Sequence, residues 1–241
     1  MTVAQQCLAV RIQGLNFAYP DGYVALRGVD FCAGPGERVA IVGPNGAGKS
    51  TLMLHLNGIL RGEGRIHVGD LEVTEPNLRR VRAEVGLVFQ NPDDQLFSPR
   101  VFDDVAFGPI YMGLPEGKVR ERALRALEQM GVEAYAERVS HHLSLGEKKR
   151  IAIATVLAME PRVLALDEPS AGLDPRSRRT LIELLDRLAP TMLISTHDLR
   201  LVKELCPRTV VLDDGQVAAD GLTSAVLSDE KLLEAHGLEL V

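Results

Sequence analysis

The sequence has no excess of positive charge and no tryptophan. Its 241 residues include 27 Lys and Arg against 33 Asp and Glu, which gives a formal net charge of −6. That balance argues against a broad grip on the phosphate backbone of nucleic acid. With 46% hydrophobic and 25% charged residues, the composition is that of a globular protein, because disordered chains contain fewer apolar residues.

Cysteine is also scarce, with three residues in the chain. Cys7, Cys32 and Cys206 are odd in number, lie far apart, and show neither CxxC nor Cys/His spacing. This pattern predicts free thiols in a reducing compartment, and it argues against both a disulfide framework and a zinc site.

Long apolar runs are missing as well. No segment approaches the roughly 18 uninterrupted apolar residues of a membrane span, and residues 1–6 lack the basic start of a signal peptide. We therefore expect a chain that neither crosses a membrane nor is exported. If it works in transport, its membrane-spanning partners must be other chains.

Strand and helix patterns alternate along most of the chain. Strands are expected at 8–19, 28–33, 38–42, 163–166, 192–195 and 209–212, and helices from residue 49 and at 177–188. Between 92 and 150 the period is helical, with one face formed by Val119, Ala123, Leu124, Leu127 and Met130. Strand, helix, strand in this order predicts a parallel sheet, and residues 221–241 have the pattern of a short helical tail.

A glycine-rich loop separates the strand at 38–42 from the following helix. It matches GxxxxGK[ST] with Gly43, Pro44, Asn45, Gly46, Ala47, Gly48, Lys49 and Ser50, and Thr51 follows. Such a loop wraps phosphate with backbone N–H groups, Lys49 reaches the β- and γ-phosphates, and Ser50 offers a hydroxyl to Mg²⁺. The alternative is a glycine-rich turn without a ligand.

Two carboxylates, Asp167 and Glu168, follow the apolar strand that starts at Val163. The carboxyl end of a strand is the edge where ligands bind in parallel sheets. Asp167 is expected to hold Mg²⁺ and Glu168 to polarise the attacking water. Taken alone, such a pair more often caps a helix or forms a turn; with the glycine loop, the sequence predicts a nucleotidase.

Four further segments narrow the class. They are Leu143-Ser144-Leu145-Gly146-Glu147 before the carboxylate strand, Pro169 to Asp174 after it, Gln90 after an apolar strand, and His197 after another. In this order they resemble the signature, D-loop, Q-loop and switch histidine of ATP-binding-cassette (ABC) transporter ATPases. With the two nucleotide motifs, the resemblance covers nearly the whole chain.

The resemblance implies one ABC ATPase domain over residues 1–241. Its expected fold is α/β, a P-loop NTPase with a RecA-like parallel core and an antiparallel β subdomain. An α-helical subdomain is expected as an insertion at about 92–158. The implied enzyme is a transport-coupled ATP hydrolase with ATP and Mg²⁺ as cofactors.

The family's mechanism assigns roles to the remaining residues. Two domains would close head to tail, with ATP between the Lys49 loop of one and Ser144, Gly146 and Glu147 of the other. His197 would contact the γ-phosphate, and Gln90 would bind Mg²⁺ and report nucleotide state. Taken alone, a core histidine and a strand-end glutamine are the better interpretations of His197 and Gln90.

Tyr19 matches the aromatic residue that stacks on adenine in this family. It shares its parity with Leu15 and Phe17, so it could instead face the core.

One departure from the family pattern concerns Leu145, which occupies the first glycine position of the signature. If that backbone required φ > 0, a leucine would cost on the order of 1–3 kcal/mol.

The particular family branch is indicated by residues 91–97 and 103–109, which resemble energy-coupling-factor ATPases. Residues 147–150 and the tail at 220–240 are most similar to cobalt and nickel importers. Asp93 and Asp94 could also form a solvated, helix-capping turn. The implied partners are a second ABC ATPase subunit, identical or related, and integral membrane subunits at the cytoplasmic face of the cell membrane, with no nucleic acid.

Three alternatives stay open. A vitamin importer of the energy-coupling-factor type would use the same cassette. An ABC ATPase of DNA repair or ribosomes usually carries coiled-coil insertions, paired cassettes or basic arms, which this sequence lacks. A P-loop kinase or GTPase would leave the signature and D-loop unexplained.

Overall fold

The computed structural model describes residues 9–238. The chain forms two compact units. The first takes in the described parts of residues 1–87, 162–168 and 189–241, and the second consists of residues 88–161 and 169–188.

The first unit contains two sheets. One is antiparallel, in the order β2-β1-β4-β5, and its strands are β1 (Val10–Ala18), β2 (Val24–Ala33), β4 (Glu63–Val68) and β5 (Leu71–Glu72). The six-stranded sheet has the order β10-β9-β3-β8-β7-β6, formed by β3 (Arg38–Val42), β6 (Val85–Val88), β7 (Val163–Asp167), β8 (Thr191–Ser195), β9 (Arg208–Asp213) and β10 (Gln216–Leu222).

Helices complete both units. The first unit has α1 (Lys49–Leu56), α2 (Leu78–Glu84), α7 (Leu199–Leu205), α8 (Thr223–Val226) and α9 (Glu230–Ala235). The second unit is helical, with α3 (Val101–Tyr111), α4 (Glu116–Gln129), α5 (Leu145–Leu157) and α6 (Pro175–Asp186). Short 3₁₀ turns lie at Glu75–Asn77, Pro92–Asp94, Glu133–Tyr135 and Ser140–His142.

The central strands of the larger sheet fix the position of the site. Strands β9, β3, β8 and β7 run parallel, and β3, β7 and β8 are almost wholly buried, as expected when both faces of a parallel sheet are covered. Ser195 at the end of β8 is in register with Ile41 of β3 and Asp167 of β7. The loops that follow these three strands therefore emerge side by side.

The predicted fold class is confirmed: a parallel α/β core and an antiparallel sheet are both present. The helical period at 92–150 corresponds to α3, α4 and α5, but Leu124, predicted on the apolar face of α4, is exposed. The predicted strand at 28–33 begins earlier, at Val24, and five elements had not been predicted: β4, β5, β10, α2 and α7. Residue 8 of the predicted first strand and residues 239–241 of the predicted tail lie outside the described residues.

The cysteine prediction was wrong in one place. Cys32 is disulfide-bonded, whereas Cys206 is a buried free thiol, whose pKa burial raises to about 12. Cys7 lies outside the described residues. Disulfide formation depends on distance in the folded chain rather than on spacing in the sequence, so residue spacing was a poor guide.

Within residues 9–238, no helix combines the length and the apolar character needed to cross a bilayer. In the same range, no cluster of three or more His, Cys, Asp or Glu residues could hold a metal ion on its own.

His55 is a fully buried titratable group in the first unit. Its Nδ1 lies 2.7 Å from the carbonyl oxygen of Thr51 and must donate to it, and the Phe17 ring packs edge-on at 4.8 Å. Nε2 is buried and has no hydrogen-bond partner among the described residues. Burial lowers the pKa of His55, so the neutral ring is the form that folding favours.

This burial predicts an acid-sensitive fold. As pH falls through the unfolded-state pKa of about 6.5, the unfolded chain gains a proton at this position that the folded chain does not accept. The stabilising effect is present above that pH and is lost below it, by up to about 1.4 kcal/mol per pH unit. Replacing His55→Phe should reduce the fall in unfolding free energy between pH 7.5 and pH 5.5. The measurement is urea unfolding at both pH values, with the exposed His141→Phe as the matched control; equal losses in all three proteins would contradict the prediction.

Candidate nucleotide-binding site

The glycine-rich loop lies against the end of β9. A Cβ atom at Gly43, where φ is 152°, would lie 1.9 Å from the carbonyl oxygen of Leu212. Only glycine fits such an approach. At the other end of the loop, the N–H of Gly215 donates to the Ala47 carbonyl oxygen at 3.2 Å. The end of β9 and the turn that follows it therefore contact the loop at both of its ends.

Lys49 begins α1 beneath this loop and is buried. Its Nζ donates to the carbonyl oxygens of Gly43, at 2.7 Å, and Pro44, at 2.9 Å. Burial lowers the pKa of Lys49, opposed by the nearby carboxylates of Glu168 and Asp167. Asn45, Gly46 and Ser50 are exposed. The loop thus presents backbone and hydroxyl groups outward while its cation is held within.

Tyr19 lies just beyond β1 and is half-buried. Its hydroxyl and the hydroxyl of Thr51 are 2.9 Å apart, and its ring stacks with that of Tyr23 at 6.4 Å between centroids. The Tyr23 hydroxyl donates to the carbonyl oxygen of Gly46 at 2.8 Å. Two aromatic rings therefore stand at the edge of the glycine loop, rather than one buried in the core.

The two carboxylates follow β7 as expected, and each has defined partners. Asp167 accepts a hydrogen bond from the Ser195 hydroxyl. Glu168 is buried, and its carboxylate accepts from the Thr196 hydroxyl at 3.2 Å and from His197 Nδ1 at 2.9 Å. These contacts fix the direction of the Glu168 carboxylate.

The backbone of Glu168 is itself unusual. Its φ is 45°, in the left-handed region that costs a residue with a side chain about 1–3 kcal/mol. The N–H of Glu168 donates to the carbonyl oxygen of Ser195 at 2.9 Å, and that of Thr196 donates to Ile41 at 3.1 Å. This bonding to neighbouring strands holds the strained residue in place. The His197 side chain is exposed to solvent and hydrogen-bonded to Glu168. It is therefore not a core histidine.

The remaining predicted residues belong to the second unit. Gln90 follows β6, and its carbonyl oxygen accepts from Lys149 Nζ at 3.1 Å. Its side chain is exposed. Downstream, Asp93 pairs with Lys148 at 2.8 Å, and Gln95 donates to the carbonyl oxygen of Ala152 at 2.8 Å. Contacts with helix α5 thus fix the position of the segment 90–95 within the second unit.

The signature segment opens α5. Ser144 is its N-cap and Leu145 its first residue. Leu145 is helical and does not have a positive φ, so the strain considered for a leucine at this position is absent. Its side chain is directed at Gly172, where an added Cβ would lie 2.9 Å from Leu145 Cδ2. Gly146 faces Ser177, 3.1 Å from the corresponding Cβ position.

Asp174, the last residue of the segment Pro169 to Asp174, caps α6. Its carboxylate accepts from the N–H groups of Arg176, at 2.9 Å, and Ser177, at 3.1 Å. Hydrogen bonds, first from the Ser177 hydroxyl and then from backbone N–H groups, lower the pKa of Asp174. This loop is therefore ordered by the helix that follows it.

Several residues around the site could not be inferred from the sequence analysis. Ser195 ended a predicted strand and Thr196 followed it, but neither gave a sign of contact with the carboxylates. Leu212 and Gly215 lie about 170 positions from the loop that they hold, and no local pattern reports such contacts. Tyr23 could have been predicted from the sequence, because it is a second aromatic residue across the turn from Tyr19.

A glycine loop before a helix, beside two carboxylates at the carboxyl edge of a parallel sheet, defines a P-loop nucleotidase. The family comparison is more specific. The family model described as ABC transporter matches residues 26–171, more than half of the chain. The chain belongs to the ABC transporter family, and it is an ATP-binding, ATP-hydrolysing transporter subunit.

Several known ATP-binding proteins of transporters are similar to this chain. The energy-coupling factor transporter ATP-binding protein EcfA of Methanothermobacter thermautotrophicus is 47% identical over 96% of this chain and 76% of its own. CbiO1 from Clostridium perfringens, part of the ABC transporter complex cbiONQ, is 40% identical, with a TM-score of 0.83 over 95% of this chain and 94% of that one. The ATP-binding cassette MJ0796, a dimer in a post-hydrolysis state with ADP and Pi, is 26% identical, with a TM-score of 0.80 over 89% and 98%.

Replacing Lys49→Ala tests the glycine loop. The change removes a buried cation and its two bonds within the loop, so ATP should bind at least about tenfold more weakly, the scale of one charge-assisted hydrogen bond. Titration calorimetry with Mg-ATP measures the affinity, and circular dichroism checks the fold. Lys118→Ala, at an exposed ion pair on α4, is the matched control; equal affinity in the two variants would contradict the assignment of this loop.

Proposed function

We propose that this chain pairs with a second ABC ATPase, identical or related, and that ATP closes the pair to drive an energy-coupling-factor importer. The proposed cargo is a transition-metal ion such as cobalt or nickel. The observation that carries the proposal is Glu168, a buried carboxylate fixed by Thr196 and His197 in the same unit as the Lys49 loop.

The nucleotide would occupy the glycine loop. Its proposed contacts are Tyr19, Gly43, Pro44, Asn45, Gly46, Ala47, Gly48, Lys49, Ser50 and Thr51. Mg²⁺ fits the available donors, since it prefers oxygen ligands and is usually held by one or two carboxylates together with substrate phosphates. Asp167 and Ser50, both in the first unit, would supply those donors, and the ion would neutralise phosphate charge. Gln90 is proposed as a further donor from its sequence motif alone. Asp167 is already oriented by Ser195.

Glu168 would act on the attacking water. An oriented carboxylate can accept a proton from water as it attacks the γ-phosphate. His197 would hold that carboxylate and the phosphate in line, because its ring is bonded to Glu168 through Nδ1 and exposed elsewhere. Glu168 and His197 are thus the proposed catalytic residues.

The second copy would offer its signature segment. Ser144 is exposed at the N-terminus of the 13-residue helix α5, and a helix N-terminus with free N–H groups favours phosphate. Ser144, Gly146 and Glu147 would approach the ATP held by the first copy. The dimer of MJ0796 bound to ADP and Pi supports this arrangement.

Glu168→Gln tests the composite site. The amide keeps the size of the side chain but cannot accept the proton, so hydrolysis should fall by at least about 10². Uncleaved ATP should then accumulate the closed dimer, because a ligand that binds only one state favours it. Turnover and light scattering with Mg-ATP and with Mg-ADP are the measurements.

Two controls accompany this variant. Glu183→Gln changes an exposed glutamate on α6 and should leave turnover unchanged. Adding Lys49→Ala to Glu168→Gln should abolish the ATP-dependent dimer. Near-wild-type hydrolysis by Glu168→Gln would exclude this residue as the base.

Docking to a membrane subunit is supported by an exposed apolar patch on the second unit, which we define as Phe97, Phe107, Ile110 and Tyr111. Their exposed fractions are 68%, 53%, 59% and 53%. The Phe97 and Phe107 rings pack edge to face at 5.3 Å, and Asp104 holds the backbone N–H of Phe97 at 3.1 Å. An ordered patch of this kind marks an interaction surface. The proposed location is therefore the cytoplasmic face of the membrane, as a peripheral subunit.

Replacing Phe97→Ser and Phe107→Ser together should abolish capture of membrane proteins by the tagged chain from detergent-solubilised membranes. The cause would be loss of the apolar anchors, since large aromatic side chains dominate binding energy at such surfaces. Leu222→Ser, at an apolar side chain that is 67% exposed in the other unit, is the matched control. Equal capture by both variants would contradict this docking surface.

The captured complex also tests the cargo. Reconstituted in vesicles with ATP on the side of this chain, it should accumulate labelled Co²⁺ or Ni²⁺, and Glu168→Gln should stop accumulation. Uptake of a vitamin instead of either metal ion would move the chain to the vitamin-type branch.

A further inference from the structure

The signature serine is already hydrogen-bonded within its own chain. Ser144 Oγ lies 2.7 Å from Glu147 Oε2, and the Ser144 N–H donates to the same oxygen at 2.8 Å. In return, the Glu147 N–H donates to Ser144 Oγ at 3.4 Å. The two residues form a reciprocal capping box at the start of α5.

The direction of the hydroxyl proton follows from the charge on Glu147. Hydrogen bonds from the Tyr135 hydroxyl and from Ser144 lower the pKa of Glu147, so the carboxylate is ionised at neutral pH. An ionised carboxylate can only accept hydrogen bonds, and a serine hydroxyl has a single proton. That proton therefore points at Glu147.

This arrangement conflicts with phosphate binding by Ser144. Phosphate oxygens only accept, so they need the same proton that Glu147 holds. On binding, the hydroxyl would have to rotate away, and the carboxylate would lose a donor while a second anion approached. A glutamine at this position could instead donate its amide N–H to Ser144 Oγ and leave the hydroxyl proton free.

Neighbouring charges do not remove the conflict. Lys148 is paired with Asp93 at 2.8 Å, and Arg150 donates to the carbonyl oxygens of Met130 and Gly131. Arg150 contributes only the last of the causes that lower the pKa of Glu147. The carboxylate therefore depends mainly on Tyr135 and Ser144.

We propose that Glu147 is a positioning residue that holds the Ser144 hydroxyl away from the ATP of a second ATPase subunit and so opposes closure of the pair. Closure then requires enough binding energy from nucleotide, or from the membrane partners, to break the bond between Ser144 and Glu147. This inference rests on the proposed function, because it concerns the same composite site.

The test uses the Glu168→Gln background, in which hydrolysis does not drain the closed state. With saturating Mg-ATP, sedimentation equilibrium should give a dimer dissociation constant about tenfold lower for Glu168→Gln/Glu147→Gln than for Glu168→Gln, the scale of one hydrogen bond to a charged group. Glutamine keeps the capping box, so the fold is preserved. Glu133→Gln, at an exposed glutamate two residues before Tyr135, is the matched control and should leave the constant unchanged.

A double-mutant cycle separates this role from a general effect of charge. In Glu168→Gln/Ser144→Ala, the hydroxyl is absent, so adding Glu147→Gln should change nothing. Tyr135→Phe should act in the opposite direction to Glu147→Gln, because Glu147 would then depend more on Ser144. An unchanged or weaker dimer with Glu147→Gln, or a gain that persists without the Ser144 hydroxyl, would overturn the inference.

The two proposals fail in different ways. If Glu168→Gln binds ATP but forms no closed pair, alone or with its captured membrane subunits, the composite site is wrong and this inference falls with it. If Glu168→Gln forms the ATP-dependent dimer and Glu147→Gln does not tighten it, only the inference is overturned.

Discussion

The close contact between Gly43 and the Leu212 carbonyl oxygen constrains the rest of the site. It requires a glycine at the end of β3 and fixes the loop against the end of β9. With the loop in this position, the buried Lys49 ammonium donates hydrogen bonds to two carbonyl oxygens of the loop itself, those of Gly43 and Pro44. A buried ammonium without such acceptors would be costly. The loop and its cation therefore stabilise one another.

The second constraint is the register of β3, β8 and β7. Because these strands are parallel and in step, their carboxyl ends deliver the glycine loop, Ser195 and Asp167 to one edge. Glu168 then turns into a left-handed conformation that few residues adopt without strain. The cost is offset by bonds to Ser195, Thr196 and His197. These bonds hold the left-handed backbone of Glu168, and with it the carboxylate, in a direction that an ordinary strand end would not give.

Much of this arrangement could be predicted from sequence, for a physical reason. Phosphate wrapping needs consecutive glycines ahead of Lys49, and the carboxylates must directly follow a buried strand, so both features appear as short local patterns. The parallel order could be inferred from alternating strands and helices. Both patterns depend on contacts between residues that are close together in the sequence.

What could not be predicted depends on contacts between distant segments. The support from Leu212 and Gly215, the disulfide at Cys32 and the bond from Ser195 to Asp167 leave no local trace. At Leu145, by contrast, the sequence suggested a feature that the structure does not have. Its position in the signature suggested a strained backbone, but Ser144 starts the helix one residue earlier, and Leu145 takes an ordinary helical conformation. The helix cap therefore decides what the position tolerates.

The hydrogen bonds at the ends of the central strands have a mechanical consequence. Glu168 is joined to Ser195, and Thr196 is joined to Ile41, by backbone bonds that extend the sheet past its last regular pairs. The loops that follow β3, β7 and β8 are thus joined at their bases by one network of backbone hydrogen bonds. Separating the Glu168 backbone from β8, or the Thr196 backbone from β3, would break these bonds. The spacing between the bases of the three loops is therefore set by the sheet itself and not by the loops.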